Sequence, residues 1–232
     1  TNKAANEIKN RLAAALGDES VSREIWAGTF HSVCGKILRR HAELLGYDSH
    51  FTVYDTDDQK RLLKDIMKGF NLDEKVFPVK AVLGEISSSK DKLISPTEYR
   101  NNMGNDYRGR VIADLYEAYT EQLKSANAMD FDDMIVNTVK LLQDFPDIAE
   151  KYRNRFRYIM VDEYRDTNYA QYVLVKTLAE GERNICVVGD DDQSIYRFRG
   201  ATIENILNFE DEYENAKVIR LEQNYRSTSH IL

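Results

Sequence analysis

Three stretches of the chain place acids, arginines and aromatics at spacings that can handle a phosphorylated substrate. In the first, the apolar run Tyr158-Ile159-Met160-Val161 ends in Asp162-Glu163. One carboxylate there can hold Mg²⁺, usually through water, while its neighbour accepts a proton from an attacking water. Phosphoryl transfer uses both services, because its transition state asks mainly for charge neutralisation and positioning. Alone the pair is a weak signal, since Asp-Glu after a strand is more often a solvated turn.

The second stretch runs from Gly189 through Asp190-Asp191-Asp192-Gln193 to Tyr196-Arg197-Phe198-Arg199-Gly200. A glutamine past a strand end can reach a terminal phosphate or its attacking water. Aromatics alternating with arginines suit a single nucleic-acid strand, whose bases stack and whose phosphates pair with guanidinium groups. The plainer reading is an acidic loop followed by an amphipathic segment. The third stretch is Gln223-Asn224-Tyr225-Arg226-Ser227-Thr228. Its arginine can bridge to a phosphate and its tyrosine can stack on a purine. In isolation it is an ordinary capped helix start.

These residues need elements to carry them. Ala5, Ile8, Leu12 and Ala15 recur at helical steps and Gly17 follows as a stop. A strand-like Ile25-Trp26-Ala27 precedes a helix from about Phe30 to Leu45. From Phe51 to about Ala128 the pattern is wholly helical and rich in charge. A capping box is expected at Thr56–Gln59, followed by Leu62, Leu63, Ile66 and Met67. A second box, Ser95-Pro96-Thr97-Glu98, has proline at the first helical position, and Val111, Leu115, Tyr119 and Leu123 stripe a long helix. A helix from about Phe131 to Phe145 follows. Strands are expected at Tyr158–Val161, Asn184–Val188 and Val218–Leu221; their unalternating apolar runs suit a parallel sheet buried on both faces. Acidic residues just past the strand ends stand where open α/β sheets place ligands.

Composition narrows the classes. The chain has 232 residues, 42% of them hydrophobic, which is enough for a real core. No apolar run reaches the roughly 20 residues that cross a bilayer, so no membrane role is indicated. The two cysteines, Cys34 and Cys186, form no CxxC, and Cys186 within Ile185–Val188 reads as a buried, reduced core residue. The four histidines lack zinc-ligand spacing. A cytoplasmic protein is the expectation. At a net charge of −7, any grip on nucleic acid must be confined to a local groove.

Taken together, the clusters resemble the superfamily 1 DNA helicases of the UvrD/Rep/PcrA type. Asp162-Glu163-Tyr164-Arg165-Asp166-Thr167-Asn168 looks like their motif II, Gly189–Gly200 their motif III, and Leu221–Thr228 their motif IV. Thr1-Asn2-Lys3-Ala4-Ala5 is similar to the end of motif Ia, and Gly28-Thr29-Phe30-His31-Ser32 to motif Ib. Met129-Asp130-Phe131-Asp132-Asp133 resembles the acidic–aromatic motif before motif II. The matches stand in the family's order and span nearly the whole chain.

The resemblance implies an α/β fold: a partial RecA-like parallel-sheet domain with an inserted all-helical subdomain. It divides the chain into 1–50 and 130–222 (RecA-like), 51–129 (helical insert) and 223–232 (start of a second RecA-like domain). It implies ATP and Mg²⁺ as cofactors of the full-length protein. Asp162 would bind the metal, Glu163 would activate water, Gln193 would sense the γ-phosphate, Arg226 would stabilise its charge and Tyr225 would stack on adenine. Phe131, Tyr196, Phe198 and Arg199 would line the single-strand track, and Asn2, Thr29 and His31 would touch the backbone. For His31 the alternative is a residue that caps its helix. The implied partners are single-stranded and duplex-junction DNA, with DNA-repair proteins beyond them, and the implied activity is ATP-driven unwinding, mostly 3′ to 5′ in the family.

The pattern departs from the family at three points. No GxxxxGK[ST] occurs in the sequence. The chain therefore reads as a piece opening after the phosphate loop, inactive by itself and exposing a normally covered sheet edge. Arg165 stands where the family usually has glutamine; it either pairs with a carboxylate or points to solvent. Phe198 replaces the usual tryptophan and keeps a stacking face. Two other functions fit the same residues: a non-catalytic module binding single-stranded DNA or a repair partner, and the motor part of a helicase–nuclease.

Overall fold

A computed structural model describes residues 2–17, 24–181, 184–189, 209–213 and 215–223. The described chain is mostly helical with small parallel sheets, an α/β arrangement. Helix α1 (Asn2–Leu16) ends at Gly17, whose φ of 64° is open to glycine without strain. Helix α2 (Phe30–His41) starts at Thr29, whose hydroxyl accepts from the Ser32 amide. It buries Cys34, Ile37 and Leu38, a stripe at helical spacing, and continues as a 3₁₀ turn over Ala42–Leu45.

Strand β1 (Thr52–Tyr54) leads into four helices: α3 (Thr56–Gly69), α4 (Val79–Asp91), α5 (Pro96–Met103) and α6 (Tyr107–Ser125). Their stripes, among them Leu63, Ile66, Val82, Ile86, Leu115 and Tyr119, close on one another in a single core. Each such side chain contributes about 1.5–3 kcal/mol on burial. Strand β2 (Ala128–Asp130) then pairs in parallel with β1, Thr52 opposite Ala128 and Tyr54 opposite Asp130.

A second core forms between α2, α7 (Phe131–Asp144), α8 (Pro146–Arg155) and α9 (Tyr169–Ala179), centred on Ile37, Leu141, Tyr152 and Leu174. Strand β3 (Ile159–Val161) pairs in parallel with β4 (Ile185–Val187), Val161 opposite Val187. Helix α9 makes the crossover that a parallel pair requires. A short helix, α10 (Phe209–Glu212), reaches back to α9, where the Tyr172 hydroxyl donates to the Glu212 carboxylate.

Several expectations are corrected. Ile25–Ala27 is not a strand: the Ala27 amide bonds back to the Ile25 carbonyl, and the Trp26 ring packs on Tyr152 and Phe156. The first capping box lies one residue earlier than expected, Asp55 with Asp58, because the aspartate carboxylate takes the amides of Asp57 and Asp58. The segment 51–129 is not wholly helical, since β1 and β2 lie at its ends; three-residue strands are too short to show a period. Val218, Ile219 and Leu221 are exposed and belong to no strand among the described residues. The β3–β4 pair is covered on one face only: Ile159, Val161, Ile185 and Val187 pack inward, while Met160 is 79% exposed. Cys186, opposite Met160 in the ladder, is exposed and is no core residue. A register of period two dictates this, whatever the hydrophobicity of the run.

Candidate functional site

The N-termini of α2 and α7 bring two of the candidate residues together. His31 and Phe131 meet edge to face, with ring centroids 5.5 Å apart at 89°. Phe131 is 45% exposed at the start of its helix, so a face of the ring is open to a ligand. Burial lowers the His31 pKa, against the opposing charge of Asp132, and favours a neutral imidazole. The helix is capped by Thr29, which removes the reading of His31 as the capping residue. Asn2 lies exposed in the first turn of α1.

Beneath Phe131 sits a buried polar cluster. The Lys90 ammonium, from the last turn of α4, lies 2.7 Å from a carboxylate oxygen of Asp130 and 2.7 Å from one of Asp133. Asp130 and Asp133 cap α7 reciprocally: the Asp133 amide donates to Asp130 at 2.8 Å, and the Asp130 amide to Asp133 at 3.2 Å. The Tyr119 hydroxyl donates to Asp130 at 3.0 Å. Burial alone would raise the Asp130 pKa, but the Lys90 ammonium and the donated hydrogen bonds bring it below the ordinary value. Burial outweighs the same lysine at Asp133, which is pushed up to about 6. One lysine faces two carboxylates, so only one is fully compensated. On the outer side Asp91 accepts from the Asn168 side chain, and burial with the Asp132 charge pushes it up to about 7.

The second pair of candidates ends β3. Asp162 and Glu163 are both exposed. The Asp162 carboxylate accepts from the Glu163 amide at 3.0 Å, and Glu163 sits in the left-handed region at φ 52°. Two backbone bonds tie this turn to the end of β4: the Val188 amide donates to Val161 and the Tyr164 amide to Val188, each at 2.9 Å. The acidic turn and the start of the Gly189 segment therefore stand side by side at the carboxyl ends of parallel strands. Arg165 does not point to solvent. It is buried, its Nε donates to Asp166 at 3.3 Å, and its Nη1 has no hydrogen-bond partner among the described residues.

Among the described residues no cluster of three His, Cys, Asp or Glu side chains suits a metal ion. An exposed carboxylate at Asp162 fits Mg²⁺ held mostly through water, the habit of a cation that dehydrates reluctantly. Phe30 and Ile159 pack against both the α2–α7 core and the strand core, which links the aromatic pair to the acidic turn. Gln193, Tyr196, Phe198, Arg199, Tyr225 and Arg226 lie outside the described residues. The sequence reading missed Lys90, Tyr119 and Asp91 as parts of the site. Lys90 carried a signal: it falls four residues after buried Ile86, on the apolar face of α4, where a lysine needs an acid.

The site is an exposed acidic turn at the carboxyl ends of two parallel strands of an α/β chain, with an aromatic pair at two helix starts. The chain matches the UvrD/REP helicase N-terminal domain over residues 1–214 and belongs to that family. It is 50% identical over 232 residues to the ATP-dependent DNA helicase PcrA of Bacillus subtilis (strain 168). The corresponding values are 49% for the PcrA of Staphylococcus epidermidis (strain ATCC 12228) and 48% for that of Staphylococcus aureus (strain Mu50). Each match covers 100% of this chain and 31% of the relative, so the chain spans about a third of the length of these proteins. Among the described residues no helix is long and apolar enough to cross a membrane.

Proposed function

We propose that the chain is part of the motor of an ATP-dependent DNA helicase or translocase, moving 3′ to 5′ along single-stranded DNA in repair or replication. The observation that carries this is the acidic turn Asp162–Glu163, locked to the end of β4 at the carboxyl ends of two parallel strands. The relatives, ATP-dependent DNA helicases by name, support it. In this reading residues 1–50 and 130–222 form a partial RecA-like domain, 51–129 the insert, and 223–232 the start of a second RecA-like domain. Most buried residues of 51–129 form one core, which supports that division, while Phe51 and Met129 at its ends pack in the other.

When bound, ATP supplies the phosphoryl group and Mg²⁺ neutralises its charge. Asp162 would hold Mg²⁺ through its water shell, Glu163 would take a proton from the attacking water, Gln193 and Arg226 would contact the γ-phosphate, and Tyr225 would stack on adenine. The open face of Phe131 receives a base, with Tyr196, Phe198 and Arg199 continuing the track. Asn2, Thr29 and neutral His31 contact the strand's backbone as uncharged groups, which suits movement along it. Junction DNA and repair proteins are the partners of the whole assembly.

The test is DNA-stimulated ATP hydrolysis, by the 232-residue polypeptide and by a longer form bearing a GxxxxGK[ST] segment. The first is expected to show none, for want of a phosphate cradle. The second is expected to hydrolyse ATP and to lose about 10²–10⁴-fold with Glu163→Gln. Turnover by the short form, abolished by Glu163→Gln, overturns its inactivity; turnover of the long form indifferent to that change overturns the role of Glu163.

A further inference from the structure

We infer that Lys90 is a positioning residue for the His31–Phe131 aromatic pair, and thereby for the grip on a single strand; the inference rests on the track reading above. Phe131 follows directly on Asp130, the residue that caps α7. Where its ring stands is therefore set by the reciprocal Asp130–Asp133 box. That box holds two carboxylates in one buried site, an arrangement that repels itself unless a cation intervenes. The cation is Lys90, 2% exposed and in contact with both acids. It arrives from α4, in the other hydrophobic core. Tyr119, on α6 of that core, adds a hydrogen bond to Asp130 and lies under the ammonium at 5.1 Å.

Buried this deeply, Lys90 reaches no phosphate itself. Its effect on DNA must pass through the first turn of α7. Without it the two acids separate or one takes up a proton, the box opens, and Phe131 loses its fixed place against His31. The helical insert would thus help hold the aromatic platform on the neighbouring core, through one ammonium and one hydroxyl.

The experiment is a double-mutant cycle on the chain with Lys90→Met and Phe131→Ala, titrating a fluorescent oligothymidylate at several salt concentrations. It is joined to an NMR measurement of the His31–Phe131 ring contact. Lys90→Met is expected to weaken binding about tenfold or more, with the slope of log affinity against log salt unchanged, since no phosphate contact is lost. Adding Phe131→Ala should then cost less than about twofold, because both changes remove one platform. The ring contact should disappear. Should Lys90→Met fail to fold, Tyr119→Phe keeps the ion pair and removes one hydrogen bond; about threefold weaker binding, again non-additive with Phe131→Ala, is expected. Additive effects, a salt slope reduced by about one, or a ring contact intact in a folded variant overturns the inference. A wild-type chain that binds no oligonucleotide, or one indifferent to Phe131→Ala, sinks the track reading instead. In that case the ring contact in the Lys90 or Tyr119 variant alone decides whether the cluster positions the pair.

Discussion

Two strands of this chain end in acids, and the two endings serve opposite ends. Strand β2 delivers Asp130 into a buried cluster, where Asp133, Lys90 and Tyr119 occupy its oxygens. Strand β3 delivers Asp162 and Glu163 to an exposed turn, where Asp162 accepts from its own neighbour's amide. In both cases the acids directly follow an apolar residue, Met129 in β2 and Val161 in β3. What separates them is what packs over the strand end: a helical unit with a lysine above β2, and open surface beside β4 above β3. Buried acids compensated by a cation give geometry, while exposed acids stay available to a metal ion and water.

The sharpest way to break the comparison is to delete each acid in turn. Asp130→Ala leaves Lys90 paired with Asp133 but removes the cap of α7 and the acceptor of the buried Tyr119 hydroxyl; it is expected to cost about 2–4 kcal/mol, whereas Asp162→Ala should stay within about 0.5 kcal/mol. Urea unfolding of both variants checks this, and equal losses would erase the distinction.

A smaller effect comes from pH. Asp91 is raised from 3.8 to about 7 and Asp133 from 3.8 to about 6. The folded chain therefore keeps protons that the unfolded chain releases above about pH 4. Stability from these groups is present at low pH and falls as pH rises through 4 to 7. Asp91→Asn should narrow the difference in Tm between pH 5 and pH 8 and melt higher than the wild type at pH 8. The gain is limited because Asp91 is only half-buried. A variant with an unchanged pH dependence would show that Asp91 does not carry it.

The smallest effect sharpens the exposed side. Glu163 holds a left-handed conformation that glycine adopts freely. Glu163→Gly should raise stability by about 0.5–1 kcal/mol in thermal melts. A loss instead would mean that the carboxylate contributes to the fold.

Much of the fold was legible because its signals are local. The Ser95–Glu98 box and the stripe Leu115, Tyr119, Leu123 follow from residue type and spacing, and the structure has both. The β3–β4 pairing was legible from two apolar runs with acids behind them. What escaped depends on distant partners. Nothing near Cys186 in sequence says that its side chain is exposed, and nothing near Val218 says that it joins no strand among the described residues. The site divides in the same way. Asp162–Glu163 could be read from one stretch, but the junction of Lys90 with Asp130 is a contact across 40 positions.

The open face of the β3–β4 ladder has a practical side. The chain has two thiols, Cys34 and Cys186. Cys34 is fully enclosed in α2, and burial pushes its pKa up to about 12. Cys186 stands uncovered on β4, three residues before Gly189. Since the thiolate is the species that reacts, a maleimide dye at neutral pH should select Cys186 and spare Cys34. These 232 residues thus already contain a single attachment point for a fluorophore, on the strand that leads into the second candidate cluster.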